Sequence, residues 1–282
     1  MRKIHVDTIT EEISRLFIDA NISLGEDVKS LLEDALTNEE KRSLSHEVLK
    51  VLSENYKIAE RERIPLCQDT GMAILFIKIG QDVHIVGGDI NSAINKGIER
   101  GYKDGYLRKS IVDDPLFERK NTMTNTPGII HYEIVPGDKI EIVALPKGGG
   151  AENTSRLVMG SPSWGEDEIL EFVLESVEKA GGKACPPIVL GIGIGGSFDY
   201  VTYLAKKALV RPLGSKHPDP MYARLEDRIL KEVNNTGIGA GGLGGKLTCL
   251  SVAIETYPTH IASLPIAINI QCNAHRIKRI VV

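Results

Sequence analysis

Along the first sixty positions apolar residues recur at the spacing of helices that pack by one face. Ile9, Ile13, Leu16, Phe17 and Ala20 share a face, Val28, Leu31, Leu32, Ala35 and Leu36 repeat the pattern beyond Gly25, and Leu44, Val48, Val51, Leu52 and Tyr56 make a third run. The third helix must stop before Pro65, because the residue preceding a proline is pushed out of the α region. The period then changes. Residues 73–79 form an apolar run too short for a typical helix and read as a strand. Gly87 and Gly88 open a helix with Ile90, Ile94 and Ile98 on one side. Residues 129–135 and 139–145 flank Pro136-Gly137-Asp138, a pattern that predicts a β-hairpin.

The second half alternates. A helix carries Ile169, Leu170, Val173, Leu174 and Val177, with Gly181 as its C-terminal cap. Residues 188–194 read as a strand that ends in Gly195-Gly196. Helices follow with Val201, Leu204, Ala205 and Leu209, then with Met221, Leu225, Ile229 and Val233. Two closing strands fall at 247–254 and 266–270. Helices first and mixed elements afterwards predict an α/β (mixed α+β) fold: a helical N-terminal third, then mixed β-sheets flanked by helices. No repeat, low-complexity tract or linker interrupts residues 1–282, so they are read as a single domain. With 42% hydrophobic and only 5% aromatic residues, its core must consist mostly of Ile, Leu, Val and Ala.

The net charge of −4 gives no basic surplus for nucleic acid. No apolar run approaches the ~20 residues that span a bilayer, and the N-terminus leads into an amphipathic helix rather than a signal-peptide core. The expectation is a cytoplasmic protein, with no membrane or nucleic-acid partner. In that compartment its four cysteines point away from disulfides. Cys249, in Leu247-Thr248-Cys249-Leu250-Ser251-Val252, sits in ordinary strand sequence. Cys67, Cys185 and Cys272 lie instead beside turn formers and polar groups, in Cys67-Gln68-Asp69-Thr70-Gly71, Ala184-Cys185-Pro186-Pro187 and Gln271-Cys272-Asn273-Ala274-His275-Arg276. Three thiolates can hold a metal centre and leave one position open, which is where chemistry occurs. Plain burial is the alternative for each. Their wide separation argues against zinc ribbons and ferredoxin-type carriers, whose ligands are closely spaced.

Other groups read two ways. Asp69 is a general acid or base, or a turn aspartate. His260, in Tyr257-Pro258-Thr259-His260, exchanges protons with it or is structural. Arg108 and Arg119 bracket 110–115 and are carboxylate clamps or surface ion pairs. Arg276, Lys278 and Arg279 default to a solvated face. Gly191 to Gly196 spells Gly-x-Gly-x-x-Gly after a strand, the outline of a dinucleotide site, but its second half is itself apolar strand and no ribose-binding acid follows. The runs 148–150 and 237–245 either offer backbone N–H groups to an anion or allow close packing.

Taken together, Cys67-Gln68-Asp69-Thr70-Gly71, Lys147-Gly148-Gly149-Gly150-Ala151-Glu152-Asn153, Cys185-Pro186-Pro187 with Gly191 to Gly196, and Gln271 to Arg276 resemble the iron–sulfur-dependent class I fumarate hydratases and the L-tartrate dehydratases of the same family. The resemblance covers nearly the whole chain and is to the alpha subunit of two-subunit forms. It implies a [4Fe-4S] cluster held by Cys67, Cys185 and Cys272, with one iron free of protein ligands, and no ligand role for Cys249. It places Gln68, Arg108 and Gly149 at the dicarboxylate substrate and gives Asp69 and His260 the proton transfer. The activity implied is reversible hydration of fumarate to (S)-malate, with L-tartrate dehydration as the alternative. Since the chain stops at Val282, where single-chain relatives continue into a smaller domain, a separate beta subunit and an α2β2 assembly are expected. A non-catalytic iron–sulfur or zinc protein and a nucleotide-binding module are the remaining readings.

Overall fold

The computed structural model describes all residues, Met1–Val282. In chain order the elements are β1 (Arg2–His5), α1 (Val6–Ile22), α2 (Glu26–Asn38), α3 (Leu44–Glu62), β2 (Met72–Gly80), β3 (Val83–Val86), α4 (Ile90–Asp104), β4 (Ile129–Val135), β5 (Ile140–Lys147), α5 (Gly149–Glu152), β6 (Arg156–Gly160), α6 (Glu166–Ala180), β7 (Ile188–Gly195), α7 (Phe198–Ala208), α8 (Pro220–Asn235), β8 (Cys249–Tyr257), β9 (Leu264–Gln271) and β10 (Lys278–Val281). This is the mixed α/β fold with a helical first third. It divides into two compact units: Met1–Gly25 with Tyr56–Gly149 and Arg276–Val282, and Glu26–Asn55 with Gly150–His275.

In the first unit the sheet order is β10-β5-β2-β4, with β2 parallel to β4 and antiparallel to β5. The expected hairpin between β4 and β5 is therefore not formed, because β2 lies between them. The reason is burial: Ala73 to Ile77 are all buried, so β2 takes the centre of the sheet. The 136–138 turn crosses over the end of β2 instead, where Gly80 N–H donates to Lys139 O (2.9 Å) and Gln81 N–H to Val135 O (2.8 Å). Ile9, Ile13 and Phe17 of α1 and Ile94, Ile98 and Tyr102 of α4 close the core over Leu75, Ile77, Ile142 and Ala144.

In the second unit the order is β6-β9-β7-β8, with β7 parallel to β8 and antiparallel to β9. Side chains alternate across a strand. Leu190, Ile192 and Ile194 enter one core with Ile169, Val173 and Val177 of α6 and Leu225, Ile229 and Val233 of α8. Gly191 and Gly193 face the other way, against α7. A Cβ on Gly193 would stand 2.3 Å from Val201 O, and one on Gly191 2.1 Å from Ala205 O. These glycines are explained by the close approach of helix to sheet. Gly193→Ala should destabilise the chain by about 1–3 kcal/mol, the range for overpacking a rigid contact; a urea titration checks this, and an unchanged midpoint would show that α7 is not held this close.

Candidate active site

The chain between α3 and β2 is a loop, because Pro65 blocks continuation of the helix. Its start is fixed where Leu66 N–H donates to the Asn21 carbonyl at the end of α1 (2.8 Å). Its end is fixed by Tyr102 of α4, whose buried hydroxyl lies 3.0 Å from Thr70 O and 2.8 Å from Gly71 O. Burial pushes the Tyr102 phenol above its usual range, so the group remains a donor. Gly71 is required here. Its φ is +77°, and a Cβ would lie 2.7 Å from the Lys147 backbone.

Within this frame the Asp69 carboxylate is held at both oxygens. Oδ1 accepts from Gly71 N–H (2.9 Å) and Oδ2 from Gly149 N–H (2.8 Å), the first residue of α5. The predicted glycine loop thus meets the predicted catalytic aspartate, and its first use for the Gly149 amide is to orient that aspartate. Gln68 and Cys67 are exposed at the tip of the same loop. Arg108 belongs to the same neighbourhood: its carbonyl accepts from the Thr70 hydroxyl (3.1 Å), and its side chain is exposed. Asn125 ties the Arg108 segment down, accepting from Ser110 N–H (2.6 Å) while donating to Gly71 O (3.2 Å). Arg119 is used differently; it donates to Pro115 O beside the turn that Asp114 caps.

Of the remaining predicted residues, Cys185 is exposed and left-handed (φ 53°) at the end of a short turn, Gly181–Ala184. Its carbonyl accepts from both Asn273 N–H (3.2 Å) and Asn273 Nδ2 (2.8 Å), so the segment that follows Cys272 clasps the segment that carries Cys185. Cys272 is partly exposed. His260 is exposed in the β8–β9 connection, its Nδ1 accepting from Ala262 N–H (3.1 Å), which leaves Nε2 for proton exchange. No three His, Cys, Asp or Glu side chains come together as a ready metal-holding group. The donor set nevertheless suits an iron–sulfur centre: no cysteine is in a disulfide, and all three candidates lie outside the strands and reach solvent. Cys249 differs, being 1% exposed in β8, where burial pushes its thiol up to about 12. The run at 237–245 spends its amides internally, Gly239 N–H on Thr248 Oγ1, Gly241 N–H on Pro186 O and Gly244 N–H on Ile238 O.

Sequence reasoning missed Arg276. Its sequence context places it with Lys278 and Arg279 on a solvated face, but it is 1% exposed. Its Nη1 donates to Asp69 O (2.6 Å) and to Asn21 Oδ1 (3.0 Å). Tyr102, Asn21 and Asn125 were also missed. Only their contacts reveal them, since each is an ordinary residue in an ordinary helix or loop.

A sequence model of the family described as "Fumarate hydratase (Fumerase)" matches residues 10–281. A Methanocaldococcus jannaschii protein, provisionally named as the alpha subunit of an L(+)-tartrate dehydratase, is 46% identical over 278 residues, 96% of this chain and 97% of its own. The L(+)-tartrate dehydratase subunit alpha of Escherichia coli UTI89 is 32% identical over 275 residues, 96% of this chain and 89% of its own. That of Shigella boydii serotype 4 is 31% identical over the same length.

The cysteine environments give a direct expectation. In the metal-free, reduced chain at pH 8, iodoacetamide should modify Cys67 and Cys185 readily, while Cys249 stays unmodified until the chain unfolds. Peptide mass mapping reads this, and rapid modification of native Cys249 would overturn its placement.

Proposed function

Because the chain belongs to the fumarate hydratase (Fumerase) family of hydro-lyases, we propose that it is the alpha subunit of an enzyme that reversibly hydrates fumarate to (S)-malate. The observation that carries this reading is the Asp69 carboxylate, oriented by two backbone N–H groups and set two residues after an exposed cysteine. A structural turn aspartate such as Asp114 takes its N–H partners from the few residues that follow it. Fixing both oxygens, one of them from a residue far along the chain, is what aiming a proton-transfer group requires.

Cys67, Cys185 and Cys272 would hold a [4Fe-4S] cluster, which when bound supplies a Lewis acid at its one iron without a protein ligand. Hydration adds one water across the double bond with no change in oxidation state, so nothing in the chain has to carry electrons. Asp69 moves the proton at the hydroxyl oxygen, with His260 given a part in the same transfer. The exposed Arg108 guanidinium takes a substrate carboxylate through paired hydrogen bonds, and the Gln68 amide orients the substrate beside it. Charge that builds on the carboxylate as the neighbouring carbon loses its proton is met by Arg108. The whole chain serves as one catalytic domain in the cytoplasm, and a beta subunit in an α2β2 assembly completes it. The relatives' names support that partner. No helix is long and apolar enough to cross a membrane.

A second reading, dehydration of L-tartrate, is favoured by the names of the similar proteins. The chain reconstituted anaerobically with iron, sulfide and its beta subunit should hydrate fumarate, with tartrate turned over much more slowly. The reverse ranking selects the tartrate reading, and no turnover of either with a cluster present selects a non-catalytic iron–sulfur protein. In the same preparation Cys185→Ala should lose cluster iron and Cys249→Ala should keep it, and equal behaviour of the two would refute the ligand assignment. Asp69→Asn should lower kcat by roughly 100-fold or more.

A further inference from the structure

Arg276 is the largest fully buried side chain of the protein. Burying a guanidinium is costly unless its donors are answered. Here both hydrogen bonds leave from Nη1 and end on uncharged oxygens, Asp69 O and Asn21 Oδ1, while Nε has no partner. Nη2 is turned toward Gly148. A Cβ at Gly148 would lie 3.4 Å from Nη2 and 3.2 Å from Asp69 Oδ2, so the glycine leaves open one point that the guanidinium and the carboxylate both flank.

The second anchor is Asn21, fully buried at the end of α1. It donates from Nδ2 to Phe17 O (2.9 Å), accepts Arg276 on Oδ1, and accepts Leu66 N–H on its own carbonyl. One asparagine therefore holds both ends of the loop that carries Cys67, Gln68 and Asp69: the near end by its backbone, the far end through Arg276. We propose that Arg276 is a positioning residue for Asp69. It fixes the backbone of the aspartate to α1, and its buried positive charge keeps the carboxylate turned toward Gly148 and the Gly149 amide. Its role is on Asp69 and not on the substrate, and it rests on the proton-transfer role proposed above.

The test compares Arg276→Gln and Arg276→Lys with the wild-type chain in two measurements. The first is amide hydrogen exchange on the folded chain. The Gly71 and Gly149 N–H groups, which bond the Asp69 carboxylate, should lose at least about tenfold protection in Arg276→Gln. Amides of the β2–β5 ladder should keep theirs. The second is steady-state kinetics on the anaerobically reconstituted enzyme with its beta subunit. There kcat should fall by about 100-fold, the scale of a misplacement of about 1 Å, with KM nearly unchanged, and Arg276→Lys should recover part of the loss. Unchanged protection at Gly71 and Gly149 would overturn the proposal. So would a rise in KM at constant kcat, which would make Arg276 a substrate-binding group, or a uniform loss of protection in both variants, which would make it merely structural. If the wild-type enzyme turns over neither fumarate nor tartrate, the functional reading fails, while the exchange measurement still decides whether Arg276 positions Asp69.

Discussion

A buried guanidinium has to be answered, and in this protein the answer organises the Asp69 loop. A hydrogen bond to a charged group is worth about 1.5–3 kcal/mol, and a buried charge left without it is answered less fully, so Arg276 cannot let go of Asn21 or Asp69 without a penalty. That rigidity passes in two directions. Through Asn21 it reaches the last turn of α1, a helix locked into the core by Ile9, Ile13 and Phe17. Through the Asp69 carbonyl it reaches the carboxylate and the glycine turn that leads into α5. Tyr102 and Asn125 close the far side by holding the Thr70 and Gly71 carbonyls. The loop that joins α3 to β2 is thus exposed at its tip, yet fastened at Leu66 N–H and at the Asp69, Thr70 and Gly71 carbonyls.

Much of the fold could be read from spacing alone because its helices are amphipathic and its strands are short apolar runs. α1, α2, α4, α6, α7 and α8 all fall where apolar residues recur at helical intervals, and Pro65 marks the end of α3 within a few residues. The β4–β5 pairing could not be read, since a turn signal reports that the chain reverses and says nothing of a third strand inserted between the two arms. The glycine run 191–196 has the outline of a dinucleotide site without the ribose-binding acid that would complete it. Its motif describes backbone approached closely, and here the approaching body is α7.

The site shows the same division. Cys67, Cys185, Cys272 and Asp69 could be picked out because each sits among residues that a buried strand or helix would not use, and Cys249 could be set aside for the opposite reason. Arg276 could not. Its neighbours in β10 are a half-buried Lys278 and an exposed Arg279, and nothing in the order of the residues distinguishes the one that turns fully inward. Burial of a charge is decided by partners distant in sequence, Asn21 and Asp69, which no local pattern contains.

The chemistry proposed for this chain requires three thiolates and one iron that the protein leaves open. Mössbauer spectroscopy of the chain loaded anaerobically with iron-57 and sulfide addresses that claim most directly. The account predicts a cluster with one iron site distinct from the others, whose signal alone shifts when fumarate or malate is added together with the beta subunit. Iron sites that all respond alike, or a folded chain that takes up zinc and no iron–sulfur cluster, would contradict it.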